Sequence, residues 1–191
     1  MNHLLSLWNR GRTFLEEQYA TKYPSFAAVR SQIQECLAHR VPGTSVFIAS
    51  SPDHVPPILV HFVKRCRSLH ESVILLTVRT EVYAHVPPDK QYETSDLGDG
   101  FWTVVLHFGY MEHPRVAERL REVVERERLL VDLNEITYYI GKETLTATNS
   151  GQMGRIAERI FAYLRRNAVE VESTFCLPPQ QVVEIGTQID L

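Results

Sequence analysis

Residues 44–82 read TSVFIASSPDHVPPILVHFVKRCRSLHESVILLTVRTEV, and how this stretch is read decides the fold. TSVFIAS (44–50) is a short, continuous apolar run of the kind buried on both faces of a sheet. SSPDHVPP turns the chain. Ile58, Leu59, Phe62, Val63 and Cys66 then recur at helical spacing and form one stripe. SVILLTVRTEV (72–82) is a second buried run. Strand, helix and strand joined by short turns predict a βαβ unit, two parallel strands with a right-handed crossover.

Downstream the pattern changes. VPPDK (86–90) is a loop, and QYETSDLGDGFWTVVLHFGYME (91–112) reads as an antiparallel strand pair bending near Asp99–Gly100. Residues 114–128 predict a charged helix with Pro114 in its first turn and Val116, Leu120, Val123 and Val124 buried. Arg115–Glu118, Glu118–Arg121 and Glu122–Arg126 are spaced to pair on its solvated face. Residues 135–148 are strand-like, and 153–167 carry a helical stripe with a local excess of arginine. The chain closes on VVEIGTQIDL, where Val183, Ile185, Thr187, Ile189 and Leu191 alternate with polar residues or glycine. That period of two predicts a last strand with one buried face, started by Pro178 and Pro179.

Upstream, VPG (41–43) punctuates, and two helical stripes precede it. Leu4, Trp8, Leu15 and Tyr19 form one; Phe26, Val29, Ile33 and Leu37 form the other. The expected fold is α/β: a single domain whose mixed sheet combines a parallel βαβ unit with antiparallel strands, behind a helical N-terminal extension. Residues 1–39 are the amphipathic helical segment and 40–191 the α/β domain.

The totals agree with one core. The chain has 191 residues, 44% hydrophobic and 23% charged. A net charge of −3 argues against a binder of nucleic-acid polymers. Cys36, Cys66 and Cys176 lie far apart without CxxC spacing and read as reduced core thiols, not as a disulfide framework or zinc site. No apolar run approaches the roughly 18 residues needed to span a bilayer. The amphipathic start lacks the clean apolar core of a signal peptide. The chain itself is expected to be soluble.

Chemistry is sparse. No GxSxG, HExxH, GxxxxGK[ST] or post-strand GxGxxG is present. Gly98–Asp99–Gly100 is a hairpin turn rather than a phosphate loop. His61 and Cys66 sit on different parts of their helix, and His107 and His113 read as structural histidines, so no metal site and no catalytic residue is expected. One region has the topology of a ligand site. Ser50, Ser51 and Asp53 follow the first parallel strand, and Arg79, Thr80 and Glu81 lie near the carboxyl end of the second. Serine hydroxyls and an arginine fork suit a phosphate or carboxylate. Pro56 and Pro57 weaken such a site by removing helix-start N–H donors. The competing reading is that Ser51 or Asp53 caps the helix and Arg79 pairs with a carboxylate.

Longer phrases carry a resemblance. RVPGTSVFIASSPDHVPPILVHFVKRCRSLHESVILLTVRTEVYAHVPP (40–88) is similar to the C-terminal cytosolic domain of the KUP/HAK/KT potassium uptake transporters. DLGDGFWTVVLHFGYMEHPRV (96–116), TYYIGKETL (137–145), FAYLRRNA (161–168) and FCLPPQQVVEIGTQIDL (175–191) resemble later phrases of that family in the same order. Where many members read H-N-x-x-x-N, this chain has Phe62 and Cys66 after His61. The resemblance implies proton-coupled potassium uptake for a full transporter. For this region it implies a non-enzymatic regulatory or homodimer-forming role on the cytoplasmic side of the inner membrane, with the transporter's membrane domain as partner. It also implies a nucleotide ligand such as cyclic di-AMP, with Ser50, Ser51, Asp53, His54 and Arg79 the residues to test and no cofactor. A purely structural dimerisation module without ligand, or a stand-alone regulator, are the alternatives. On this reading Leu191 is a natural end, the chain is an excised domain or a stand-alone copy, and residues 4–15 lie at the membrane interface or on the transporter.

Overall fold

The structure, a computed structural model, describes residues 26–146 and 175–190. The helices expected at 4–20 and 153–167 and the terminal Leu191 lie outside the described residues. Within them run α1 (Phe26–Cys36), β1 (His39–Ala49), α2 (Pro57–Cys66), β2 (Ser68–Glu81), β3 (Tyr92–Gly98), β4 (Phe101–Gly109), α3 (Val116–Glu127), β5 (Ile136–Thr146) and β6 (Val182–Asp190). The strands make one mixed sheet in the order β3-β4-β2-β1-β5-β6. Only β3 is antiparallel to its neighbour; β4, β2, β1, β5 and β6 are mutually parallel.

The βαβ unit is as the apolar runs predicted, β1 pairing in parallel with β2 through α2. A second crossover carries β4 through α3 back over two strands to β5. The two crossovers move in opposite directions across the sheet, so right-handed connections put their helices on opposite faces. Two cores follow. Val46, Ile74, Leu76, Val104 and Leu106 pack with Leu120, Val123 and Val124 of α3. Phe47, Val73, Leu75 and Phe101 pack with Ile58, Leu59 and Val63 of α2 and with Val29 and Ile33 of α1. The stripe of Phe26, Val29, Ile33 and Leu37 therefore buries against the sheet.

Local chemistry explains the boundaries. Asp99 and Gly100 make the two-residue hairpin bend, both at positive φ (53° and 78°), the turn that follows the twist of paired strands. VPG does not interrupt β1; the pairing with β2 slips between Val41 and Thr44 and resumes. Helix α3 starts at Val116 with Arg115 at its cap, so Pro114 precedes the first turn rather than sitting in it. Its ion pairs are Arg115–Glu118 at 3.4 Å and Arg119–Glu122 at 3.6 Å. The thiols are free, but Cys66 and Cys176 are exposed and Cys36 is half-buried, which corrects their reading as core residues. Helix α2 turns Ile58, Leu59 and Val63 inward and leaves its last residue at the rim. Phe62 lies 5.0 Å from the Tyr139 ring and 6.0 Å from Phe47, so it extends an aromatic cluster on the α2 face.

Candidate functional site

The β1–α2 loop has little regular structure, because Pro56 and Pro57 fix the chain just before α2. Pro56 occupies the cap position of α2 with no side-chain hydrogen bond. Ser51 and Asp53 therefore do not cap it, contrary to the capping expectation. They fold on each other: the Asp53 N–H donates to Ser51 Oγ at 3.3 Å, and that hydroxyl lies 3.5 Å from Asp53 Oδ2. This places Asp53 and His54 on the wall of a cleft of about 560 Å³ between the loop, α1 and β3. Phe26 and Arg30 of α1, Asp96 of β3 and Thr103 of β4 line the rest of it.

Arg30, in the cleft wall, is held by Asp99. Its Nη2 lies 2.5 Å from Asp99 Oδ2 and its Nε donates to the same oxygen at 3.0 Å, with Gln34 adding a third donor. Asp96 Oδ1 accepts the Gly98 N–H at 2.7 Å. His54 Nδ1 is buried and has no hydrogen-bond partner among the described residues. The cleft thus offers an aromatic face, a guanidinium and two carboxylates, with the His54 residue in its wall. Its charge balance is not strongly cationic, since Arg30 is already engaged by Asp99.

Of the five residues expected from the sequence, Asp53 and His54 meet in this cleft and Ser51 braces Asp53. Ser50 is exposed and does not line it. Arg79 does not reach it: in the β2–β4 register it stands beside His107 at the carboxyl edge. There His107 Nδ1 lies 2.7 Å from Glu81 Oε1 and its Nε2 lies 3.3 Å from Glu93 Oε1. Glu81 therefore pairs with His107, and no ion pair of Arg79 is present among the described residues. The strand order also reverses between β1 and β5, not between β1 and β2, so the expected pair of strand ends does not flank the switch. Phe26, Arg30, Asp96 and Thr103 were not singled out from sequence; the α1 stripe beginning at Phe26 was the one available signal. No group of three His, Cys, Asp or Glu side chains converges as metal ligands would among the described residues.

Comparison with known proteins adds the family. Residues 42–191 match the family model of the K+ potassium transporter C-terminal domain. The chain is 36% identical over 187 residues to the probable potassium transport system protein Kup 1 of Syntrophobacter fumaroxidans, covering 98% of this chain and 28% of that one. It is 37% identical over 195 residues to the probable potassium transport system protein Kup of Pseudomonas aeruginosa strain UCBPP-PA14, covering 98% and 30%. It is 36% identical over 191 residues to the probable potassium transport system protein Kup 3 of Bradyrhizobium diazoefficiens, covering 98% and 31%. The chain therefore spans 28–31% of the length of these curated relatives. No solved structure matches it.

Proposed function

Because the chain belongs to the family of K+ potassium transporter C-terminal domains, we propose that it is the regulatory and dimer-forming part of a Kup-type potassium uptake system. It works without catalysing a reaction, on the cytoplasmic side of the membrane that holds the transport pathway. The observation that carries this reading is the match of the whole α/β region, 42–191, to that family and of 98% of the chain to transport proteins. No helix among the described residues is long and apolar enough to cross a membrane.

The ligand we propose is a nucleotide such as cyclic di-AMP, seated in the α1 cleft. Phe26 supplies a face for a base, Arg30 a positive charge for phosphate beside its pairing with Asp99, and Asp53 an acceptor for ribose hydroxyls, with His54 in the same wall. A homodimer suits a two-fold ligand, since an isologous interface presents the same groups twice. The competing reading is a structural module without ligand. It is favoured by the two carboxylates of the cleft and by the engagement of Arg30 with Asp99, which both disfavour an anion. Calorimetry with cyclic di-AMP, ATP and AMP separates the two. Binding heat with one of them, reduced about tenfold or more in affinity by Arg30→Ala, is the expected result. No heat and no thermal shift with any nucleotide removes the ligand, and a monomer in sedimentation at high concentration removes the dimer.

A further inference from the structure

Phe26, Arg30 and Gln34 recur every fourth residue on α1 and so share one side of the helix. That side meets the β3–β4 hairpin. The Phe26 ring lies 4.9 Å from the Phe101 ring, and Arg30 lies against Gly98, where a Cβ would stand 3.5 Å from Nη2. Arg30 Nε, Arg30 Nη2 and Gln34 Nε2 converge on one atom, Asp99 Oδ2, at 3.0, 2.5 and 3.0 Å. Arg30 is at the same time a wall residue of the cleft. Nitrogen donors gathered on one carboxylate oxygen form an arrangement that also holds a phosphate oxygen. Here its occupant is a side chain of the hairpin tip.

Two observations make that occupant removable. First, the backbone of the tip is held by other groups. Arg40 Nη2 donates to Asp99 O at 3.0 Å, and Arg40 Nη1 donates to His70 O at 2.7 Å. The Val73 N–H donates to Gly100 O at 2.8 Å. Gly100 stands so close to β2 that a Cβ there would lie 2.3 Å from Glu71 O. The turn therefore keeps its shape when the Asp99 carboxylate lets go. Second, the ion pair is weakly shielded, with each side chain 44% exposed. A pair as exposed as this shifts an equilibrium by about fivefold at most. A phosphate, whose oxygens accept from the same fork, can displace a carboxylate held that weakly.

We propose that Asp99 is an internal competitor for the anion seat of the α1 cleft. Its carboxylate holds Arg30 and Gln34 in the free protein, and a ligand phosphate takes its place, exchanging the tie between α1 and the hairpin for one between α1 and the ligand. This rests on the nucleotide reading of the cleft and adds the regulation of that site. The engagement of Arg30 then lowers the apparent affinity by the fraction of molecules whose seat is open, rather than excluding an anion.

The test is calorimetry of the 191-residue chain and its Asp99→Asn variant with cyclic di-AMP, ATP, AMP and adenosine. Asparagine removes the charge, keeps the size of the side chain and accepts the positive φ of 53°. A nucleotide that binds wild type should bind the variant about three- to fivefold more tightly, whereas loss of a residue that only braced the site would weaken binding. Adenosine, which carries no phosphate, should gain nothing. The thermal midpoint is measured alongside; should Asp99→Asn not fold, Asp99→Gly, which also suits that φ, serves in its place. Nucleotide binding that is equal or weaker in the folded variant overturns the proposal and leaves the nucleotide reading standing, and so does an equal gain for adenosine. Binding by the variant alone supports the competitor. No heat from either chain with any nucleotide removes the ligand and the competitor together.

Discussion

A single imidazole illustrates how position decides charge. His70 lies on β2, half-buried beside the Tyr139 ring, and its Nδ1 is buried without a hydrogen-bond partner among the described residues. Burial pushes its pKa below the ordinary 6.5, and the nearby Glu135 carboxylate only partly opposes that. The consequence has a definite sign. Below about pH 6.5 the unfolded chain takes up a proton that folded His70 resists, so stability present above that pH is lost as the pH falls through the interval below it. His70→Gln removes this difference. Urea midpoints at about pH 7.5 and about pH 5.5 should fall further for wild type than for the variant. Equal slopes would show that His70 titrates alike in both states.

At the scale of elements, apolar runs and turn dipeptides carried most of the information. The strands around Phe47 and Leu75 were readable because continuous apolar runs between turns have few other uses, and Asp99–Gly100 marks its own hairpin. The seat of α1 was not readable. Its stripe announced a buried face, but Arg30 meets Asp99 sixty-nine positions away, and pattern alone does not match such faces. The cleft was half legible for the same reason: Asp53 and His54 follow a strand end, whereas Phe26 and Thr103 arrive by packing. Gly109 is a further element-scale feature without a sequence signature. A Cβ there would lie 2.2 Å from Ala84 O and 2.6 Å from Ala84 C, both backbone atoms. Gly109→Ala must push the loops after β2 and β4 apart, at an expected cost on the order of 1–3 kcal/mol and several degrees in thermal midpoint. Gly186→Ala on β6, with nothing within 4 Å, is the control and should leave the midpoint unchanged or raise it slightly. Matched midpoints for the two variants would mean that the loops are not locked at Gly109.

At the scale of the whole molecule, the sheet is asymmetric in how it ends. One edge, β3, is tied by a two-residue turn to its neighbour, so it forms from local contacts. The other edge, β6, is the last described strand and, among the described residues, pairs with β5 alone, from Tyr138↔Val182 to Thr146↔Asp190. That a patterned ending belongs to the sheet was legible in its period of two, but its neighbour was not, because alternation names a face and not a partner. The strand joins the two cores: Val182 packs with the α3 side and Ile185 with the α2 side, while Val183 is 41% exposed, which corrects the single buried face expected from the alternation. Removing residues 182–191 uncovers these contacts and leaves β5 with an unpaired edge. Partial burial of two aliphatic side chains contributes roughly 1–2 kcal/mol each, and the lost ladder adds a net loss of about 1 kcal/mol per hydrogen bond at most. A loss of several kcal/mol lowers the midpoint of a domain of this size on the order of 10 °C, and the bare β5 edge should promote association. Calorimetry and light scattering of the truncated chain measure both effects. A truncated chain that stays monodisperse and melts at the wild-type temperature would mean that β6 lies on the sheet without helping to hold it, and that the cores on both faces close without their last strand.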